Sequence, residues 1–194
     1  MNKLLLFLLL VGSIPLFSQQ VVFDMTAFGI TFGKMTVSKT RENDSTDLYK
    51  LHAKGYLKIL WMERNDETFY EVRYRHGKLI SSSYRQVETG KTKKWTTVSY
   101  DGKQYNVDSY RGKRSFTETP VYSILSLYFI NPKNINRIFY EAESDFALVK
   151  HTDANTVEIK SSDGNRSIYR FLNGAIHEME FHISIATVYM KKIG

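Results

Sequence analysis

Cysteine is absent from this chain, and proline occurs only three times in 194 residues. Without cysteine the protein cannot form disulfides, thiolate-bound zinc sites or iron–sulfur clusters, and it has neither a thiol nucleophile nor a cysteine for a lipid anchor. The low proline content argues against a flexible hinge between domains. We expect a single domain, because domains commonly contain about 100–200 residues.

Long hydrophobic runs are also absent, except at the N terminus. Lys3 precedes eight consecutive apolar residues, Leu4 to Val11, and the segment ends at the small residue Ser18. This order predicts a signal peptide over residues 1–18 with cleavage near Ser18. An uncleaved N-terminal anchor is the alternative, although a membrane-spanning helix needs ~20 apolar residues. We expect residues 19–194 to form an exported domain, periplasmic or secreted, without a transmembrane segment.

The chain is rich in aromatic and basic residues. Aromatic residues make up 14% of the sequence, which excludes disorder as its main state. The 27 basic and 20 acidic residues give a net charge of +7, or +6 once the signal peptide and its Lys3 are removed. Basic residues cluster in the hairpins of residues 88–115, and this surface predicts either an anionic envelope partner or charge that protects exposed strand edges. Nucleic acid is not expected as a partner of an exported protein. The clustered basic residues are Lys91, Lys93, Lys94, Arg111, Lys113 and Arg114.

Recurring turn dipeptides predict a mainly β protein. Asp101-Gly102, Asp163-Gly164 and Asn173-Gly174 separate runs rich in Tyr, Phe, Thr, Val and Ile, and this spacing is typical of antiparallel hairpins. Residues 47–63 alternate between apolar and polar side chains, and this long run, with Gly55 within it, predicts a strongly curved antiparallel sheet. We expect about 10–12 strands in a half-barrel or barrel.

One segment is typical of a helix. The dipeptide Thr119-Pro120 is a start signal, apolar residues recur at helical spacing from Val121 to Phe129, and Asn131-Pro132 ends the segment. Its apolar circumference predicts one short buried helix near residues 120–130 that covers one side of the curved sheet.

Aromatic residues on the inner face of this sheet predict a ligand site. A sheet of this size can enclose a cavity lined by amphipathic rings, and a filled core is the alternative. For the cavity we predict Trp61, Tyr74 and Trp95 as ligand-binding residues and Tyr128 of the helix as a gate.

Catalytic signals are weak. The sequence has no nucleophile elbow, phosphate-binding loop or dinucleotide fingerprint, and we expect no enzyme activity, metal or cofactor. Glu178, Glu180 and His182 would share one face of a strand, as either a solvated surface or an acid–base or metal-binding row. A turn near residue 142 carries three acidic residues that we interpret as solvated rather than as calcium ligands. They are Glu141, Glu143 and Asp145.

Three segments resemble a family of exported bacterial proteins of unknown function. They are Phe28 to Val37, Thr119 to Phe129 and Ser161 to Arg166, and the resemblance covers nearly the whole mature chain. The family is similar to uncharacterised periplasmic all-β proteins of Bacteroidetes-type Gram-negative bacteria, and the resemblance implies no catalytic residues. A more distant architectural similarity, to periplasmic lipoprotein-carrier half-barrels with a helix against the concave side, implies a fold and not a function.

The sequence thus predicts a non-enzymatic periplasmic binding or carrier protein for a hydrophobic or amphipathic ligand, such as a lipid or lipoprotein-like molecule, or for an envelope component. The first alternative is a structural or interaction module of the cell envelope that acts through its basic surface. The second is an enzyme that uses the row of Glu178, Glu180 and His182.

Overall fold

A computed structural model describes residues 18–59, 62–183 and 186–193. The predicted signal peptide lies outside these residues apart from Ser18, and the predicted ligand residue Trp61 lies outside them as well. Within the described part, no helix has the length and apolar character that a membrane crossing requires.

The described residues form fourteen strands and one short helix, which confirms the prediction of a mainly β fold. The structure has two strands more than the upper end of the predicted range, because residues 175–191 form two strands instead of one and residues 112–116 add another. The strands are β1 (Ser18–Ala27), β2 (Ile30–Asn43), β3 (Thr46–Ile59), β4 (Met62–Arg75), β5 (Lys78–Glu88), β6 (Lys91–Tyr100), β7 (Tyr105–Ser109), β8 (Gly112–Phe116), β9 (Arg137–Tyr140), β10 (Asp145–Asp153), β11 (Thr156–Lys160), β12 (Arg166–Leu172), β13 (Ala175–Ile183) and β14 (Ala186–Ile193).

All fourteen strands belong to one antiparallel sheet, consistent with a curved half-barrel. The strand order is β8-β7-β6-β5-β4-β3-β2-β1-β14-β13-β12-β11-β10-β9. Strands that follow one another in sequence pair as simple hairpins, except for β8 and β9, and the first strand pairs with the last in the middle of the sheet. The hydrogen-bonded ladder is not closed, because β8 and β9 are the two edges of the sheet.

The inner face of the sheet forms one apolar core. Alternate residues along each strand point inward, and the segment between β8 and β9 crosses the interior. Its 3₁₀ helix, Ile124–Tyr128, is buried along its whole length. The largest fully buried apolar side chains are Phe23, Leu79, Tyr105, Leu125, Leu127, Ile138, Phe139, Tyr169, Ile176 and Met179.

The helix is shorter than the predicted segment of residues 120–130, and its hydrogen bonds explain why. The Ser126 hydroxyl accepts a hydrogen bond from the Ser123 amide at 3.0 Å and donates one to the Ser123 carbonyl at 2.6 Å. The Ser126 and Phe129 amides each bond the carbonyl three residues earlier. Serine side chains that bond local backbone groups compete with α-helical bonds, so the segment forms a single 3₁₀ turn.

Side chains bridge the gap between the two edge strands. Arg114 of β8 donates hydrogen bonds to the carbonyl oxygens of Glu143 and Ser144 at 2.9 and 2.6 Å. The ring of Phe116 packs against the rings of Phe139 and Phe146, with centroids 5.8 and 6.1 Å apart. Ring packing and side-chain hydrogen bonds thus connect the two edges of the curved sheet, which share no hydrogen-bonded ladder.

Glu141 lies at this junction and is fully buried, which overturns the interpretation of a solvated acidic turn. Its Oε1 atom accepts a hydrogen bond from the Leu125 amide at 3.3 Å, while Oε2 has no hydrogen-bond partner among the described residues. Its backbone carbonyl accepts a bond from the Thr96 hydroxyl at 2.8 Å. Burial raises the pKa of the Glu141 carboxyl to about 7, because the apolar surroundings disfavour the charged form.

Two glycines face each other where β2 and β3 approach most closely. Gly33 pairs with Gly55 in register, and a Cβ atom on Gly33 would lie 2.2 Å from the carbonyl oxygen of Lys54. A Cβ on Gly55 would lie 2.7 Å from the ring of Phe32. The absence of side chains at both positions lets β2 and β3 approach closely and leaves room for the Phe32 ring to pack on the core.

We expect Glu141→Gln to change how stability depends on pH. The raised pKa means that the native state holds a proton that the unfolded state releases above its pKa of about 4.5. The stabilising contribution of the protonated carboxyl is therefore complete below that pH and is lost as pH rises through about 7. Between pH 5 and pH 8, the free energy of unfolding in urea should fall by about 3 kcal/mol more for the unmodified protein than for the glutamine variant. Parallel pH profiles for the two proteins would contradict the buried, proton-binding carboxyl.

We expect Gly33→Ala to lower the free energy of unfolding by at least about 2 kcal/mol, because the new Cβ collides with backbone atoms that cannot rotate away. Gly77→Asn is the control, since Gly77 has a φ of +73° with nothing within 4 Å of an added Cβ. Asparagine tolerates this backbone conformation, so the control should cost about 1 kcal/mol or less. Equal losses in chemical denaturation would show that the close approach of β2 and β3 is not what requires Gly33.

Candidate functional site

Strands β3 to β6 carry a continuous row of side chains on the outer face of the sheet. His52, Phe69, Arg85 and Trp95 are direct cross-strand partners in successive pairs; we call these four residues the outer-face row. They point outward because the residues beside them, such as Leu51 and Thr96, are buried on the inner face. Side chains directly opposite one another in an antiparallel pair lie close enough to interact.

Three side chains of the outer-face row, those of His52, Phe69 and Arg85, stack on one another across neighbouring strands. The His52 and Phe69 rings are parallel within 10°, with centroids 4.6 Å apart. The guanidinium carbon of Arg85 lies 4.7 Å from the Phe69 centroid. Phe69 is thus held between an imidazole and a cation, and the Trp95 indole, 37% exposed, follows as the next partner of Arg85.

A groove of about 760 Å³ lies over the outer-face row. A twisted sheet is saddle-shaped, so its outer surface can be concave along one direction even where the sheet wraps around a core. The groove presents aromatic rings together with a set of hydroxyl groups. The hydroxyl-bearing residues that line it from the outer face are Thr36, Ser38, Ser83, Thr92 and Thr97.

The carboxylates beside the row are already engaged by other cations. Glu71 lies 3.2 Å from the ammonium of Lys50 and also pairs with Arg73. Partial burial would raise the pKa of Glu71, but the hydrogen bonds from Lys50 and Arg73 outweigh it and lower that pKa below its usual value.

Glu67, on the other side of the row, is occupied in the same way. Its carboxylate lies 2.8 Å from the ammonium of Lys54 and 3.5 Å from His52 Nε2. The hydrogen bond from Lys54 is the main reason why the pKa of Glu67 is lowered. Both glutamates therefore stay ionised and paired.

The three predicted ligand-binding residues that the structure describes do not meet in one place. Tyr74 and Tyr128 are buried in the core, where the Tyr74 ring packs 6.0 Å from that of Tyr49 and the Tyr128 ring 5.7 Å from that of Phe23. Trp95 lies on the other side of the sheet. Its expected place on the inner face is wrong, because the neighbouring positions of β6 supply the buried residues of that strand. The roles of Tyr74, Trp95 and Tyr128 in ligand binding stay predictions.

The row of Glu178, Glu180 and His182 shares one face of β13, as predicted, and that face is the outer one. Glu180 forms an ion pair with Arg170 at 2.6 Å, and His182 Nδ1 lies 3.1 Å from the Thr187 hydroxyl. Met179 between the two glutamates is fully buried on the inner face. Among the residues that the structure describes, no group of three or more His, Cys, Asp or Glu side chains is arranged to hold a metal ion.

The basic hairpins 88–115 are partly neutralised. Arg111 pairs with Asp163 at 2.6 Å, and Lys113 lies 3.8 Å from Asp108. Lys91 is exposed at the end of the same surface. Some of the basic side chains in these hairpins are therefore paired with acids, and Lys91 precedes Thr92, which lines the groove.

Sequence reasoning missed three members of the outer-face row, namely His52, Phe69 and Arg85. The alternation along β4 places Phe69 on the face opposite Tyr70, but only the pairing register shows that Phe69 meets His52 on one side and Arg85 on the other. Register depends on turn geometry and bulges, including one in the β5–β6 pair.

Comparison with known proteins identifies the family and leaves its activity open. A search of curated proteins found no match, and a search of solved structures found none. The model of one family, described as a domain of unknown function (DUF6134), matches residues 23–193. This span runs from β1 to β14 and includes the whole outer-face row. The chain therefore belongs to the DUF6134 family.

Proposed function

We propose that the protein is a non-enzymatic, exported binding protein of the cell envelope, and that the groove over the outer-face row holds its ligand. The observation that carries this proposal is the row of cross-strand partners His52, Phe69, Arg85 and Trp95, which line a groove of about 760 Å³. Export is inferred from the N-terminal segment of residues 1–18.

The groove has the composition of a site for an amphipathic molecule. Small-molecule sites combine apolar or aromatic walls with a few polar groups that fix orientation. Here the rings of Phe69 and Trp95 supply apolar area, and the surrounding serine and threonine hydroxyls supply donors and acceptors.

The packing of the inner face favours this groove over an interior site. The 3₁₀ helix fills the space between β3, β9 and β13, and its side chains from Ile124 to Tyr128 are buried. Tyr74 contacts the Tyr49 ring, which in turn lies 5.8 Å from the ring of Phe129. Tyr74 and Tyr128, which the sequence predicts at an interior ligand site, thus contribute to the core.

A second candidate function is an interaction module of the envelope that acts through the basic hairpins 88–115. The side chain of Lys113 is 82% exposed, and Lys91 and Lys94 are exposed in β6. Such a surface attracts anionic envelope components without a defined pocket. It predicts salt-sensitive attachment to envelope fractions, which high salt should abolish, since exposed charges are already screened over about 8 Å at physiological salt.

We expect Trp95→Ala and Phe69→Ala to reduce ligand occupancy. Native mass spectrometry of the full chain, expressed with its own N-terminal segment and recovered from the periplasm without detergent, should show an added mass on the native protein. Each variant should retain about tenfold less of it, because an aromatic contact contributes about 1–1.5 kcal/mol. Tyr189→Ala is the control: it removes another half-exposed ring, on β14, away from the groove.

Unchanged occupancy in both groove variants, with the fold intact by circular dichroism, would rule out the groove as the ligand site. A bare protein mass that stays unchanged after incubation with envelope extract would contradict the binding function itself. Salt-sensitive attachment to envelope fractions without an added mass would instead favour the basic hairpins.

A further inference from the structure

We infer that the ligand of the groove carries an oxyanion, a carboxylate or a phosphate, and that Arg85 is the residue that binds it. The inference rests on the proposed function, because it assigns the chemistry of the same groove. It adds the class of ligand and the residue that selects it.

Arg85 is an exposed guanidinium without an acidic partner in the described part of the chain. In that part of the chain, no carboxylate oxygen lies within 4.0 Å of a guanidinium nitrogen of Arg85, which is the limit for an ion pair. Glutamates nevertheless occupy both diagonal positions on the neighbouring strand. Glu71 is bound by Lys50 and Arg73, and Glu67 is bound by Lys54. The two glutamates nearest to Arg85 in the strand pairing therefore already form ion pairs with other residues, and the positive charge of Arg85 remains available to a ligand.

The guanidinium is also held in position. It lies over the Phe69 ring at 4.7 Å, and the opposite face of that ring is covered by His52 at 4.6 Å. Stacking on an aromatic face leaves the planar fork of N–H donors directed sideways, where it can bind a carboxylate or phosphate through two parallel hydrogen bonds. A stacked guanidinium loses less conformational freedom on binding than a free one.

The rest of the groove favours a negatively charged ligand that also carries hydroxyl groups. Two cations, Lys50 and Arg85, and one carboxylate, Glu71, line it, which leaves an excess of one positive charge. Ser83 and Thr97 flank Arg85 on its own and the next strand. Beside them, the Trp95 indole offers an apolar face against which a sugar ring or an acyl-glycerol backbone can pack. Acidic saccharides and phosphorylated headgroups share this chemistry.

The test uses two acidic probes and a neutral counterpart of each. The probes are an oligosaccharide of glucuronate, the same oligosaccharide with its carboxylates reduced to alcohols, dihexanoyl phosphatidate and dihexanoylglycerol. Isothermal titration calorimetry measures Kd for the native chain, Arg85→Gln, Arg85→Lys and Trp95→Ala. Arg75→Gln is the matched control, because Arg75 is an exposed arginine at the far end of β4.

We expect at least one acidic probe to bind the native protein more tightly than its neutral counterpart. Arg85→Gln should weaken that binding about 10- to 100-fold, since a charge-assisted bidentate pair is lost. Arg85→Lys should keep part of the affinity, because it preserves the charge without the fork. Arg75→Gln should leave Kd unchanged. The acidic probe that binds distinguishes a uronate from a phosphate headgroup.

Three outcomes would overturn the inference. If neutral probes bind as tightly as acidic ones and only Trp95→Ala weakens them, the groove is a binding site but its ligand needs no oxyanion. If Arg85→Gln and Arg75→Gln weaken binding equally, net surface charge and not the groove attracts the probes. If no probe binds and Trp95→Ala leaves the natively bound mass unchanged, the proposed function fails together with the inference.

Discussion

Pairing of the first strand with the last is the interaction on which the rest of the structure depends. Residues 22–26 of β1 pair with residues 189–193 of β14, and this pair is the only ladder in the described part of the chain that joins β1–β8 to β9–β14. Every other neighbouring pair is a local hairpin. The core between the two halves therefore requires both ends of the chain, and its contacts are distant in sequence, which slows folding. In a protein without cysteine, this long-range pairing and the buried apolar surface take the place of covalent cross-links.

The interior then explains why the outer face is free to bind. The segment between β8 and β9 fills the concave side, and Glu141 ties the junction of the edge strands to the 3₁₀ helix through the Leu125 amide. A fully buried carboxyl with one unpartnered oxygen destabilises the fold when it is ionised. The polar groups of the inner face thus stabilise the fold. The outer face of β3–β6, by contrast, keeps a guanidinium and an indole accessible to solvent.

Much of the fold could be predicted from the alternation of residues, and the failures have local causes. Residues 175–191 look like one strand because the sequence between the end of β13 at Ile183 and the start of β14 at Ala186 contains no glycine, asparagine or aspartate. The aromatic ring of Trp95 predicts a place on the inner face, yet Thr96 and Val98 are the buried residues of β6. The outer-face row could not be predicted at all, because it exists only when four strands adopt one particular register. Glu141 gave no signal either, since burial of a single carboxyl depends on the packing of segments far apart in sequence.

The short edge strands have a consequence for how this molecule can be recognised. β8 and β9 contain only five and four residues, and Arg114 of β8 already occupies backbone carbonyls across the gap between them. An extended peptide needs a free, unobstructed row of backbone donors and acceptors to join a sheet as an extra strand. The edges of this sheet offer little of that, so β-augmentation by a partner, or strand exchange between two copies, is disfavoured. A partner that binds the sheet is therefore expected to contact side chains on its faces more than backbone groups at its edges.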